Sequence, residues 1–209
     1  MINNKNMQRL MLVATIAAAA QLAGCASGKG TPNTTYDFGP ARAATTTAPA
    51  MSSSMVNALV VTDVTGSSAY DSERMFYRLS YSDPLQARSY ANSRWSTTPL
   101  QMMTQRFKTR IAQAGVKVLS TTDATAGVAI LRVDVDDFIH TFTGVSQSEG
   151  EVAVRVSLFN GHMLIDQKSF RHTTPAATAD AAGGATALAT STDAVAADIV
   201  AWLAALPPR

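Results

Sequence analysis

From Val56 onward, apolar and polar residues alternate in blocks that predict strands, broken twice by the longer period of a helix. Val56 to Val61 reads as a strand with at least one well-buried face. Arg74 to Tyr81 reads as another, with Met75, Tyr77, Leu79 and Tyr81 on one side and Arg74, Phe76, Arg78 and Ser80 on the other. The clearest helix is expected over Pro99 to Ala114. Thr98 suits its N-cap, Pro99 its first position, and Gln101 a capping box. Leu100, Met103, Phe107, Ile111 and Ala114 then form one apolar stripe, and Gly115 is placed to end it.

Val116 to Leu119 is a short strand after that helix, and three more follow: Val128 to Thr141, Val152 to Phe159 and Met163 to Phe170. In the first of these, Leu131, Val133 and Val135 face one way, and Arg132, Asp134 and Asp136 the other. Val152, Val154, Val156 and Leu158 line one face of the second, and Asn160-Gly161 is a hairpin turn leading into the third. Alternation on one side predicts an antiparallel sheet with a single covered face. An alanine-rich helix ends the chain. Gly183-Gly184 is expected to break it, so its start is placed near Ala185; Leu188, Val195, Ile199, Trp202 and Leu206 share a face, and Pro207-Pro208 stops it. The expected class is α+β: a mainly antiparallel sheet with two amphipathic helices packed on one face.

The first residues belong to a different pattern. Lys5 and Arg9 are followed by the apolar run Leu10 to Ala20, too short to cross a bilayer core of ~30 Å, and then by Leu22-Ala23-Gly24-Cys25. Those four residues resemble a bacterial lipobox. The resemblance implies that residues 1–24 are a signal peptide, cut between Gly24 and Cys25, and that the Cys25 thiol carries the lipid. Cys25 is the single cysteine, so no intrachain disulfide can form. Removing residues 1–24 leaves 185 residues with fifteen basic and fifteen acidic side chains, a formal charge of zero. The pI of about 8.8 belongs to the whole chain and gives no nucleic-acid signature. No other apolar stretch is expected to span a membrane. Residues 25–35, small and polar, read as a lipidated tether; Tyr36 to Pro40 as a short first strand; and 41–54, rich in Ala, Thr and Ser, as a mobile loop.

Few residues suggest chemistry. Asp134, Asp136 and Asp137 lack the glycine-bent loop of a calcium site and read as a solvated strand face. His140, His162 and His172 lack zinc-ligand spacing, so no metal and no cofactor is expected. Gly144-Val145-Ser146-Gln147-Ser148 misses the second glycine of a nucleophile elbow, and no phosphate-binding loop is present. Nothing here pairs a nucleophile with a placed base, which opposes an envelope hydrolase. Arg106 and Arg110, with Lys108 and Lys117 nearby, read as a solvated outer helix face. Tyr77, Tyr81, Tyr90 and Trp95 fall among Arg74, Arg78, Arg88 and Arg94. Most of these rings are expected in the core, yet Tyr, Trp and Arg are also the residues of binding hot spots. Tyr77, Arg78, Tyr81, Tyr90, Arg94 and Trp95 are therefore the candidate partner interface.

Five segments, taken in order, resemble the ABC-type transport auxiliary lipoprotein family, whose members include the paraquat-inducible protein C-like lipoproteins. They are the lipobox, Tyr36-Asp37-Phe38-Gly39-Pro40, Met75-Phe76-Tyr77-Arg78-Leu79, Tyr90-Ala91-Asn92-Ser93-Arg94-Trp95 with Pro99, and Leu131-Arg132-Val133 with Phe138. The final helix with Trp202 also fits, so that the resemblance covers a single domain at 36–206. It implies an outer-membrane lipoprotein on the periplasmic side, non-enzymatic, serving an MCE-type (mammalian cell entry) lipid transport system. The implied partners are an MCE-domain protein and ABC transporter components, with the membrane held through the N-terminal lipid and phospholipid as a further contact. Ala26, rather than Asp, after the lipidated cysteine points to outer-membrane delivery under the enterobacterial sorting rule. The alternative is an assembly factor bound to an outer-membrane barrel, for lipopolysaccharide or protein. Incorporation of labelled palmitate into the protein in cells is expected to disappear in Cys25→Ala; retained label would contradict lipidation at this thiol.

Overall fold

The structure, a computed structural model, describes residues 33–41, 57–123 and 127–207. The expected signal peptide, Cys25 and nearly all of the 41–54 segment therefore lie outside the described residues. Among the described residues there are nine strands and two α-helices. The strands are β1 (Thr34–Tyr36), β2 (Ala58–Val61), β3 (Thr65–Gly66), β4 (Arg74–Leu79), β5 (Asp83–Trp95), β6 (Lys117–Leu119), β7 (Ala129–Phe142), β8 (Ser148–Asn160) and β9 (Met163–Pro175). The helices are α1 (Pro99–Gln113) and α2 (Ala181–Ala205).

The α+β class holds, and the sheet is mixed. Its long ladders, β7–β8, β8–β9 and β4–β5, are antiparallel, while β2, β3 and β4 each pair with β7 in short parallel stretches. Strand β7 is the spine. One edge carries β8 along its whole length; the other is divided among β2 at residues 129–131, β3 at 134–135 and β4 at 140–142. Beyond these, β6 pairs with β2, and β5 and then β1 extend from β4.

The face toward the helices is assembled across β7 and β8. Leu131 is opposite Leu158, Val133 opposite Val156 and Val135 opposite Val154, all essentially out of solvent. The register then shifts by one between Val135 and Asp137, and Asp136 is left without a partner. This β-bulge reverses the parity of β7. Past it, Phe138, His140 and Phe142 face the helices, opposite Val152, Gly150 and Ser148.

Helix α1 starts as its sequence suggests: the Thr98 hydroxyl accepts from the Gln101 amide at 3.3 Å, with Pro99 in the first turn. The Gln101 side chain bonds to Thr97 instead of closing a capping box. Met103, Phe107 and Ile111 are buried beneath it. Helix α2 begins at Ala181, four residues before the expected start. Asp180 caps it by accepting from the Gly183 amide at 2.8 Å. The two glycines do not break this helix: Gly183 makes room for Thr178 in the segment before it, and Gly184 lets it approach the sheet. A Cβ at Gly184 would lie 2.3 Å from His140 Nδ1, and one at Gly150 would lie 2.5 Å from the Leu188 amide nitrogen. Ser191 locks the contact by donating to the Gly150 carbonyl at 2.8 Å.

Helix α2 is also long and apolar enough to cross a bilayer, which corrects the expectation that no such segment follows the N-terminus. Leu188, Val195, Ile199 and Leu203 are instead buried in the core that α2 shares with α1 and the sheet.

Other boundaries differ from expectation. The first strand is Thr34–Tyr36, so it takes two residues assigned to the tether, and Asp37 to Pro40 is irregular. Strand β5, to which the sequence pattern assigned nothing, runs for 13 residues. Strand β8 extends beyond its expected limit to Ser148, opposite Phe142 of β7, and β9 extends with it to Pro175, opposite Glu149.

The close seat of α2 makes a direct prediction. Gly150→Ala is expected to lower the free energy of urea unfolding by about 1–3 kcal/mol, the cost of overpacking a full site. Gly144→Ala, where the nearest atom would be 3.7 Å away, is expected to change it by less than about 0.5 kcal/mol.

Candidate functional site

The hairpin formed by β4 and β5 holds all six candidate interface residues, and the fold divides them. Trp95 is 1 % exposed and belongs to the core, packed against Phe38 at 5.8 Å and Phe138 at 5.7 Å between ring centroids. It cannot contact a partner, which removes it from the interface. Arg94 is exposed, in register with Arg74 across the hairpin. Tyr77 and Tyr90 are half-buried and pack on each other at 4.6 Å. Arg78 is half-buried on the opposite side of β4 from Tyr77. Tyr81, in the turn, is 49 % exposed.

Tyr77 and Tyr90 continue into an aromatic layer that the sequence pattern did not reveal. Tyr77 meets Phe142 edge-on at 5.7 Å, Phe142 meets His140 at 4.6 Å, and His140 stacks with Tyr90 at an interplanar angle of 18°. The Tyr90 hydroxyl and His140 Nδ1 share a hydrogen bond of 2.8 Å. His140 has no exposed surface, and its Nε2 has no partner among the described residues. Burial disfavours the imidazolium and lowers the His140 pKa from 6.5 to about 4, against a smaller opposing pull from the Asp180 carboxylate. Burial likewise raises the Tyr90 pKa, so the pair is neutral near pH 7. A neutral imidazole with one nitrogen bonded and no adjacent nucleophile has a structural role here, that of a polar pin between β7 and β5.

A second cluster ties Phe38 to both helices. Arg106 is 5 % exposed, which corrects its expected place on a solvated face. Its guanidinium donates to the carbonyls of Phe38 and, at 2.7 Å, Gly39, and pairs with Asp193 of α2 at 3.4 Å. Arg110 reaches the same carboxylate at 2.8 Å. The two arginines share a face as their spacing requires, but α2 covers that face. Hydrogen bonding to Asp193 raises the Arg110 pKa further, so the guanidinium stays charged. An open groove of about 1010 Å³ adjoins this cluster. Phe38, Leu100 and Met102 line it together with Asp63, Asp71 and Thr104, a mixed polar surface unlike a sleeve for an acyl chain.

The remaining titratable groups are dispersed. Asp134 accepts from Thr65, Asp136 pairs with Arg155 at 3.5 Å, and Asp137 accepts from the Tyr70 hydroxyl at 3.1 Å. His172 meets Asp198 at 2.7 Å, joining β9 to α2. No group of three metal-ligating side chains occurs among the described residues.

The fold and this site define an α+β module whose distinctive features are an aromatic sheet end and a buried arginine clasp. The chain belongs to the family described as the ABC-type transport auxiliary lipoprotein component, whose sequence model matches residues 36–200. Among solved structures it is similar to protein XCC0632 from Xanthomonas campestris, of family DUF330. That match has 18 % identity and a TM-score of 0.63, and covers 82 % of this chain and 91 % of that one. An uncharacterized protein is similar at 15 % identity and a TM-score of 0.65, with 83 % of this chain and 99 % of that one covered. These likenesses concern the fold. No protein of curated function matches the chain.

The His140 environment predicts a pH dependence with a fixed sign. The unfolded chain takes up a proton near pH 6.5, and the native state only near pH 4. The stability gained from a neutral His140 is therefore complete above pH 6.5 and falls as the pH drops from 6.5 toward 4. An NMR titration of the ring is expected to give a midpoint near 4; a midpoint near 6.5 would contradict a buried, neutral His140.

Proposed function

We propose that this protein is an outer-membrane lipoprotein that acts, without catalysis of its own, as the auxiliary component of an MCE/ABC-type lipid transport system. Family membership over residues 36–200 is the observation that carries this reading. The described side chains support it from another direction: their polar clusters are clasps that join elements, and they leave no placed nucleophile and base. In this reading the protein works through contacts. The anchor expected at Cys25 holds it to the membrane, and Tyr77 and Tyr90 offer a partly open aromatic surface on the β4–β5 hairpin, with Arg78 on the other side of β4 and Arg94 at the far end of the hairpin. Such residues give large contact area with little lost side-chain freedom. An MCE-domain protein or the ABC transporter it serves is the partner that this surface would meet.

Mild crosslinking in the native host, followed by mass spectrometry of what co-purifies with the full-length protein, tests the assignment. Recovery of an MCE-domain protein together with an ABC permease is expected. Recovery of an outer-membrane barrel alone would overturn it in favour of an assembly role.

A further inference from the structure

Two turns leave the same end of the sheet side by side. Leu79 of β4 is in register with Phe142 of β7. Ser80 then donates to the Phe142 carbonyl through its amide at 3.0 Å and its hydroxyl at 2.7 Å. The β4–β5 turn therefore starts beside the β7–β8 turn. Three of the large apolar side chains most exposed in the structure project from this end: Tyr81 at 49 % from the β4–β5 turn, Leu85 at 91 % from the bulged start of β5, and Val145 at 84 % from the β7–β8 turn. Neither the core nor the clasp residues use them.

The composition of these turns is as informative as their exposure. Residues 80–87 and 143–147 contain one charged side chain, Asp83, and its carboxylate is turned back to accept the Leu85 amide at 3.0 Å. Everything else is Ser, Thr, Gln, Gly, Pro, Ala or apolar. The boundary between lipid head groups and acyl chains accepts such a surface, because apolar side chains enter it without desolvating a charge. The exposed apolar area is no more than a few hundred Å², set on two protruding turns. A stable protein interface needs about 800 Å² from each partner. A protein already held at a bilayer by lipid meets that surface at high effective concentration, so a much smaller second contact suffices to orient it there.

Chain direction agrees. Strand β1 runs parallel to β5 with Thr34 opposite Ser93, so the chain comes into β1 from the side of these turns. Ser93 lies roughly 33 Å along β5 from Asp83. Eight residues separate Asn33 from the anchor expected at Cys25, a maximum reach of about 29 Å. An anchor there lets the turns meet the same leaflet.

We propose that the paired turns at 80–87 and 143–147 form a bilayer-contact surface, with Tyr81, Leu85 and Val145 entering the head-group region of the membrane that holds the anchor. The proposal rests on the lipoprotein character of the family and not on which transport system the protein serves.

To test it, single cysteines are placed at Leu85, Val145 or Met163 of the full-length lipidated protein. Each variant is labelled with an environment-sensitive fluorophore and reconstituted into phosphatidylethanolamine and phosphatidylglycerol vesicles. Met163, 58 % exposed beside the Asn160-Gly161 turn, reports on the opposite end of the sheet. Labels in Leu85→Cys and Val145→Cys are expected to shift to the blue, and acyl-brominated lipid to quench them several-fold more than the Met163→Cys label. Solvent-like emission from the first two, or equal quenching at all three, would overturn the proposal. So would shielding that arises only when host membrane proteins are added, because the surface would then bind protein. Crosslinking to transport partners is read separately, so failure here leaves the assignment of function standing.

Discussion

Asp136 has no register partner in the β8 ladder, and that bulge decides which side chains build half of the molecule. Without that bulge, with Asp136 paired in a regular ladder, the alternation begun by Leu131, Val133 and Val135 would carry Asp137, Ile139 and Thr141 toward the helices and turn Phe138, His140 and Phe142 away. With it, β7 gives an aliphatic surface over its first half and an aromatic one over its second. The aliphatic half packs under α1 and α2 as a conventional core. The aromatic half reaches Tyr77 and Tyr90 on the neighbouring hairpin and supports the turns that carry Tyr81, Leu85 and Val145.

The helices follow from the same surface. Because His140 is flat and Gly150 has no side chain, α2 can lie close against the sheet there, with Gly184 over the imidazole and the Leu188 amide over Gly150. Seated in this way, α2 presents Asp193 to Arg106 and Arg110 of α1, and Arg106 in turn holds the carbonyls of Phe38 and Gly39. One guanidinium thus joins both helices to the segment that follows β1, at the edge of the sheet. The polar groups that sequence alone offers as candidates for chemistry or solvent contact are largely spent on these joints. That accounts for a protein that is rich in specific contacts yet fits a family of transport auxiliaries.

The sequence showed the parts whose signal is local. Thr98, Pro99 and the Leu100 to Ala114 stripe identify α1, and the alternation of Val152 to Leu158 identifies β8, because burial on one face imposes the period directly. Strand β5 was not legible. Its residues are nearly all exposed or half-exposed, it ends on the single buried side chain of Trp95, and pairing with β4 and β1 makes it a strand. The spacing of Arg106 and Arg110 shows that they share a face, but Asp193, more than eighty residues later, decides that the face is covered. Gly183-Gly184 looks like a break until the helix is seen to press on His140. Leu85, in the bulged start of β5, and Val145, in a turn, stand alone where no period marks them. The segments that carry the family resemblance, Met75 to Leu79 and Tyr90 to Trp95, lie on paired strands, and Trp95 among them serves packing rather than recognition.

The most direct test of this account is deletion of Asp136, followed by urea unfolding. The deletion leaves β7 in regular alternation, with Val135 opposite Val154, Asp137 opposite Ala153 and Phe138 opposite Val152 as before, so cooperative unfolding is expected to survive with a loss of no more than about 1–2 kcal/mol. Deletion of Ile139 uses up the spare residue by turning Asp137 inward in place of Phe138, and is expected to abolish cooperative unfolding. Loss of cooperative unfolding on deletion of Asp136, or its retention on deletion of Ile139, would contradict the account.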